Sequence, residues 1–190
     1  MGGREATKVL VELNENSYSQ YREKLIGLYL HAFTTGDFAQ HIPAAEAGRT
    51  LDYLNENGVG TVCLVEDVPV AMLFWHPLAA DVDFPKTGLL HIEAEKCAYI
   101  AEVVVHSDWR GHGIASWMIE SALKQISRNF SSTVIRVWDK NVPAVALYRK
   151  MGFREIASIM QTKWHDPHES FEMRKIYMIK ITDKNTNLTV

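Results

Sequence analysis

The densest chemistry in this chain lies at Arg110-Gly111-His112-Gly113-Ile114-Ala115, which follows the apolar triplet Val103-Val104-Val105 and runs straight into a helical pattern. A helix start leaves its first backbone N–H groups unpaired and carries partial positive charge. A strand, a glycine turn and a helix in succession therefore attract phosphate oxygens. Glycine suits such a turn because no Cβ stands between the backbone and the ligand. A tight strand-to-helix turn without any ligand would use the same glycines. The nucleotide alternatives fit less well. A dinucleotide fingerprint wants a third glycine where this chain has Ser116, although Asp139 loosely mimics the ribose-binding acid, and no Gly-Lys-Ser/Thr phosphate loop occurs anywhere.

Acid–base candidates surround this segment in sequence. Ala144, Leu147, Tyr148 and Met151 stand at i, i+3, i+4 and i+7. Tyr148 therefore fits the apolar stripe of a helix as well as it fits a phenol that donates a proton. Glu102 precedes the apolar triplet, and strand alternation puts it on the face opposite Val103 and Val105. Three readings of it stay open: a carboxylate acting through a water, an anchor for a cationic substrate, or a solvated strand residue. Glu93, Glu95 and His106 are reserves for the base, and His112 projects to solvent or touches a phosphate. His165 and His168 form an isolated His-x-x-His, too little for a metal site, and no metal is expected.

The elements that must position these residues are readable from periodicity. Alternation over residues 8–13 predicts a first strand, and Ser17 offers an N-cap for a helix through about Phe33. Leu51 and Leu54 suggest a second helix that stops at Asn57-Gly58. Residues 61–66 and 70–76 read as strands joined through Asp67-Val68-Pro69, and residues 80–96 as an irregular, acidic loop. Further strands are expected at 98–105, 133–138, 155–162 and 173–181, with helices at 113–130 and 143–151. No repeat and no Gly-, Ser- or Pro-rich linker interrupts this order, which predicts a single mixed α/β sheet with helices packed on it.

Bulk properties narrow the partners. With 190 residues, 47% hydrophobic and 23% charged, the chain suits one folded domain of ordinary size. A formal charge of -3 gives no overall basic field, so no nucleic-acid partner is expected. Cys63 and Cys97 are the two cysteines, without the spacing of a disulfide scaffold or zinc site, and fit a reducing cytoplasm. No apolar run approaches 18 residues and no signal-peptide pattern opens the chain, so no membrane association is expected.

An apolar strand, then Arg-x-x-Gly-x-Ala at 110–115, then Asn141, Ala144, Leu147-Tyr148 and Gly152-Phe153 after the next strand resembles the GNAT superfamily of N-acetyltransferases. The likeness covers about residues 98–153, the expected cofactor-binding core. It implies one α/β domain over residues 1–190, with a strongly twisted mixed central sheet flanked by helices. It also implies acetyl-CoA as cosubstrate and transfer of its acetyl group to a primary amine of a small molecule or peptide. In that family the backbone amides of the loop, here Arg110, Gly111, His112, Gly113, Ile114 and Ala115, cradle the CoA pyrophosphate. The preceding strand, here Val103, Val104 and Val105, pairs through its backbone with the pantetheine arm. Neighbouring parallel strands splay at that point, and the thioester lies in the gap. Asn141 matches a position that contacts the cofactor arm, and Tyr148 matches the general acid.

The resemblance does not reach the base. Members that acetylate polyamine-like substrates often carry a Glu-Asp pair where this chain has Ala101-Glu102, so the first carboxylate is missing. Acceptor pockets of the fold arise from stretches corresponding to residues 29–43 and 80–96. Asp81, Asp83, Glu93 and Glu95 give the second an acidic lean that suits a cationic amine, although a solvated loop has the same composition. A catalytically silent acyl-CoA-binding sensor is the alternative function, and a homodimer is compatible with the sequence.

Overall fold

Seven strands and four helices follow the expected alternation in a computed structural model that describes residues 7–36, 39–85 and 92–182. The strand order is β1-β2-β3-β4-β5-β7-β6, a mixed sheet carrying helices in its connections, as the α/β reading requires. The chain forms two compact units. One is drawn from Met1–Phe74 with Glu102–Ile119, the other from Trp75–Ala101 with Glu120–Val190.

In the first unit β1 (Lys8–Glu12) pairs antiparallel with β2 (Val59–Val65), Lys8 opposite Val65 and Glu12 opposite Thr61. Helix α1 (Glu15–Thr34) begins one turn earlier than Ser17 suggested. Asn14 is its N-cap: Ser17 N donates to Asn14 Oδ1 at 3.0 Å, while Asn14 N donates to Ser17 Oγ at 2.8 Å. This reciprocal box makes Ser17 the third helical residue, satisfying two donors at once. α1 buries Tyr18, Tyr21, Leu25 and Leu28, and α2 (Ala44–Asn57) buries Ala47, Leu51 and Leu54, each as a helical stripe. A polar clamp joins the two helices. Arg22 grips Asp52 with two bonds of 2.7 Å, and the Tyr18 hydroxyl donates to the same carboxylate at 2.8 Å. Arg22 holds the Asp52 carboxyl below its ordinary range, whereas burial and then Asp52 push the Tyr18 hydroxyl upward. The turn before β3 (Val68–Pro77) is Glu66-Asp67, with φ of 48° and 63°, one residue earlier than read from Pro69. Two successive left-handed residues make the hairpin turn whose twist matches the strands.

β4 (Cys97–Val105) has its last four residues in the first unit; its beginning, in the second, runs parallel to β5 (Ser132–Trp138), with Cys97 opposite Ser132 through Ile100 opposite Ile135. β6 (Arg154–Trp164) and β7 (Ser170–Ile181) form a long hairpin that pairs with β5 through β7. Leu78, Phe84, Cys97, Tyr99, Val134, Tyr177 and Ile179 form the core here. Helix α3 (Ile114–Ile126) starts in the first unit and ends in the second, and α4 (Val142–Lys150) joins β5 to β6.

The 80–96 loop departs from the sequence reading. Single 3-10 turns occupy Leu78–Ala80 and Ala94–Lys96, and residues 86–91 lie outside the described residues. Asp81 and Asp83 do not form an open acidic surface for a cationic amine, because the protein supplies its own cation. Arg136 donates to Asp83 at 3.0 Å and to the Tyr177 hydroxyl at 2.9 Å, and that hydroxyl donates to Asp81 at 3.0 Å. Gln161 adds a bond to Asp83 at 2.9 Å. Burial opposes the Arg136 charge, yet Tyr99, Tyr177 and Asp81 raise its proton affinity above the ordinary guanidinium value. Burial likewise pushes the Tyr177 hydroxyl above the ordinary phenol range. Glu93 is also engaged, by Lys96 at 2.7 Å.

Removing the cation should therefore strand a carboxylate that is 7% exposed. Arg136→Met is expected to cost roughly 3 to 5 kcal/mol, and adding Asp81→Asn should recover part of the loss. Urea denaturation of the single and double variants checks this. A double variant less stable than the single would contradict it.

Candidate functional site

The sequence-read loop is built at the end of β4. Val104 is buried in the core, Val103, Val105 and Glu102 are half-buried, and Ala101 stands where the first carboxylate of a Glu-Asp pair is missing. His106 N donates to Val70 O at 2.9 Å, so the strand end is held on β3. A 3-10 turn, Ser107–Trp109, then redirects the chain, closed by Trp109 N to His106 O at 2.9 Å and Arg110 N to Ser107 O at 3.2 Å. The exposed Arg110 side chain folds back and donates from Nε to Val105 O at 3.3 Å.

Gly111 and Gly113 have φ of 78° and 74°, the left-handed region that side chains strain to occupy. No atom lies within 4 Å of where a Cβ would stand on either glycine. Backbone conformation, not crowding by the protein, demands glycine here, and the space above it is open to a ligand. Gly113 O accepts from Trp117 N at 3.0 Å, which makes Gly113 the N-cap of α3. A glycine cap has no oxygen to offer, and the first turn of α3 contains no acidic residue. The amides of Ile114, Ala115 and Ser116 thus face outward with the positive end of the helix dipole behind them. His112 is exposed, with Nδ1 3.0 Å from Arg110 O and its ring 6.0 Å from that of Trp109.

Asn141 and Tyr148 share α4 in the second unit. Asn141 is the N-cap of α4, accepting from Ala144 N at 3.4 Å, so the residue matched to cofactor contact also has a structural task. Tyr148 is 7% exposed, and its ring lies tilted 6.1 Å from that of Phe153. Gly152, at φ 90°, lets Phe153 N return to Tyr148 O at 3.0 Å. Leu-Tyr-x-x-x-Gly-Phe is thus a helix stop that fixes the tyrosine. Among the reserves, Glu95 is exposed and His165 stacks on Phe171 at 4.1 Å. No group of metal-ligating side chains assembles among the described residues.

Sequence reading missed His31. Its ring, in the last turn of α1, stacks on His106 at 4.3 Å with planes 7° apart. No local pattern signals a contact between an unremarkable helical histidine and a strand end so distant in sequence.

A family model described as Acetyltransferase (GNAT) family matches residues 18–153. GCN5-related N-acetyltransferase 4, chloroplastic, of Arabidopsis thaliana is 29% identical over 103 residues, which cover 53% of this chain and 35% of that protein. The match thus spans about a third of the curated relative's length. Among solved structures, the ribosomal-protein-alanine N-acetyltransferase of Brucella melitensis superposes with a TM-score of 0.66 at 17% identity, covering 91% of this chain and 99% of that one. The ribosomal-protein-S18-alanine N-acetyltransferase of Escherichia coli gives 0.62 at 14%, covering 97% and 100%. A Salmonella typhimurium putative acetyltransferase solved with its cofactor acetyl-CoA gives 0.65 at 12%, covering 97% and 99%. At these identities the structures establish the fold.

The open amides make a directional forecast. Gly113→Val should lose affinity for coenzyme A by about tenfold to a hundredfold, the scale of one charge-assisted hydrogen bond. Gly36 supplies the control, since it too has open space and φ +77°. Both valine variants should lose stability through left-handed strain, about 1–2 kcal/mol or more, but Gly36→Val should keep its affinity. Calorimetric titration with coenzyme A decides, and equal affinities in the two variants would move the cradle elsewhere.

Proposed function

Because the chain belongs to the Acetyltransferase (GNAT) family, we propose that it transfers the acetyl group of acetyl-CoA to a primary amine of a small molecule or peptide. The observation that carries this is the start of α3 at Gly113, a cap residue with no side chain, reached from β4 through two left-handed glycines. Relatives named as N-acetyltransferases support the amine as acceptor class. The free, buried thiols Cys63 and Cys97 fit a reducing compartment such as the cytoplasm. No helix among the described residues is long and apolar enough to cross a membrane.

In this reading the amides of residues 110–115 hold the pyrophosphate, with Arg110 adding positive charge at the rim and His112 touching a phosphate. The backbone of Val103, Val104 and Val105 pairs with the pantetheine arm, and its N–H groups polarise the acyl carbonyl. Asn141 contacts the cofactor arm while capping α4. When bound, acetyl-CoA supplies the activated acyl group. The amine nitrogen forms a bond to the acyl carbon, the carbon–sulfur bond breaks, the nitrogen loses a proton and the sulfur gains one. Tyr148 delivers the proton to sulfur. Glu102 faces the acceptor side, where a half-buried carboxylate accepts the amine proton through a water or anchors a cationic substrate.

Acetyl-CoA at a hundredfold excess over its Kd should stabilise the protein by about 2.7 kcal/mol, a rise in Tm of roughly 5 to 10 °C for a chain of this size. NAD should leave Tm unchanged. Equal stabilisation by NAD, or none by acetyl-CoA, rejects the assignment. A panel of amines with detection of released thiol then identifies the acceptor class and tests turnover directly.

Tyr148→Phe separates its two roles. A thiol ionises near about pH 8.5, so thiolate departure at neutral pH benefits from a donated proton, and a phenol still holds its proton there. Loss of a positioned acid lowers the rate by about 10² to 10⁴, whereas loss of one hydroxyl costs only about 0.5 to 1.5 kcal/mol of stability. The expected result is a large fall in kcat with nearly unchanged Tm and acetyl-CoA affinity. Near-wild-type turnover, measured where chemistry limits the rate, would leave Tyr148 with core packing alone.

A further inference from the structure

The turn that leads into the 110–115 loop is braced by the end of α1. His31 and His106 stack face to face at 4.3 Å, and His31 Nε2 lies 3.0 Å from Ser107 Oγ. Ser107 Oγ donates to Asp108 Oδ1 at 3.1 Å, so its single proton is committed. The proton between His31 and Ser107 therefore belongs to His31 Nε2, which donates. His106 carries its own constraint: its Nδ1 accepts from Asp108 N at 3.3 Å, which requires that nitrogen to be bare. His106 is thus neutral with its proton on Nε2, and the arrangement tolerates at most one cationic ring, that of His31.

Protonating His106 at Nδ1 does two things. It removes the side-chain acceptor of the Asp108 amide, which caps the Ser107–Trp109 turn, and where His31 also carries its second proton it sets two imidazolium rings face to face. Among the described residues Asp108 is the opposing charge set beside His106. Its Oδ2 is 3.8 Å from His106 Nδ1, but the side chain is 80% exposed and its attraction is screened. Arg110 on the same segment adds positive charge, and β3, which meets His106 through Val70, carries no titratable side chain from Val68 to Trp75.

We propose that His31 and His106 are positioning residues for the cofactor loop: stacked, they hold the Ser107–Trp109 turn that aims residues 110–115, and a second proton on the pair releases it. This rests on the reading of that loop as the acetyl-CoA cradle. The released turn binds the second proton more readily than the stacked one. Acidification therefore favours release and weakens binding.

The test is calorimetric titration of the full chain with acetyl-CoA at pH 7.5 and 5.5. The 3′-phosphate of the ligand takes up a proton near about pH 6 in any protein, so the informative quantity is the difference between wild type and variants. His31→Phe keeps a flat ring to stack but removes the donor to Ser107 and the charge. His106→Asn keeps an oxygen to accept from Asp108 N but removes the titrating ring. Between pH 7.5 and 5.5 the wild type should lose on the order of tenfold more affinity than either variant. At pH 7.5 His31→Phe and His106→Asn should each bind about threefold to tenfold more weakly than wild type, the first for loss of the donor to Ser107 and the second for loss of the stacked ring. Parallel pH dependence in all three proteins, or wild-type affinity in His31→Phe at pH 7.5, overturns the proposal. If His31→Phe does not fold, the slope of His106→Asn decides. Failure of the wild type to bind acetyl-CoA at either pH rejects the cradle itself, an outcome distinct from binding that ignores the histidines.

Discussion

In the proposed cradle the first-turn amides of α3 must stay open to the cofactor, and the local construction around them is consistent with that requirement. A side-chain cap of the usual kind, serine, threonine, aspartate or asparagine, would fill the place of an incoming anion. Gly113 occupies the cap position instead, and the first turn carries no carboxylate that would answer the helix dipole. The chain must then cover the distance from β4 to α3 with two left-handed glycines, which are poor at holding themselves in place. Rigidity comes from outside the glycines: His106 N on Val70, the 3-10 turn, and Arg110 folded onto the last carbonyl of β4.

The cost of this opening is visible by comparison with α1 and α4, although α2 also lacks a side-chain cap. α1 carries a reciprocal capping box and α4 an asparagine cap, devices worth about 1 kcal/mol each. α3 forgoes that contribution and adds the entropic cost of two glycines. Its apolar face compensates, with Ile114, Met118, Ile119, Ala122 and Ile126 all buried. A helix anchored this strongly along its side can leave its N-terminus unfinished. Local instability and ligand affinity are thus two aspects of the same unpaired donors.

Patterns that lie within one element or one turn were legible in the sequence. The glycine loop, the α4 stripe and the strand alternation all appear where periodicity put them, because each depends on neighbours a few residues away. Asn14 and Ser17 show the limit of such reading: both are good caps three residues apart, and the reciprocal bond uses both, so residue type alone could not rank them. The acidic 80–96 stretch misled for a different reason. Composition reports Asp81 and Asp83 but not Arg136, which joins them from β5 only after folding. His31 and His106 illustrate the same gap, since nothing near either residue announces a ring stacked on it from a distant element.

Net charge conceals this division of labour. A formal value of -3 suggests a mildly acidic surface with no interest in phosphates. Yet several of the acids are already answered inside the fold: Asp52 by Arg22, Asp81 and Asp83 by Arg136, Glu155 and Asp139 by Arg174. The loop side is arranged the other way. Arg110 spends one N–H on a carbonyl, not on a carboxylate, so its charge remains uncompensated by that bond. His112 bonds a carbonyl in the same manner. Coulomb fields at a binding site depend on charges within roughly a Debye length, about 8 to 10 Å at physiological ionic strength. Pairing acids with distant arginines while leaving Arg110 on a neutral carbonyl therefore lets the charge around the loop differ from the total of the chain. A ligand phosphate samples that local field, and the placement of partners, not the sum of charges, sets its sign.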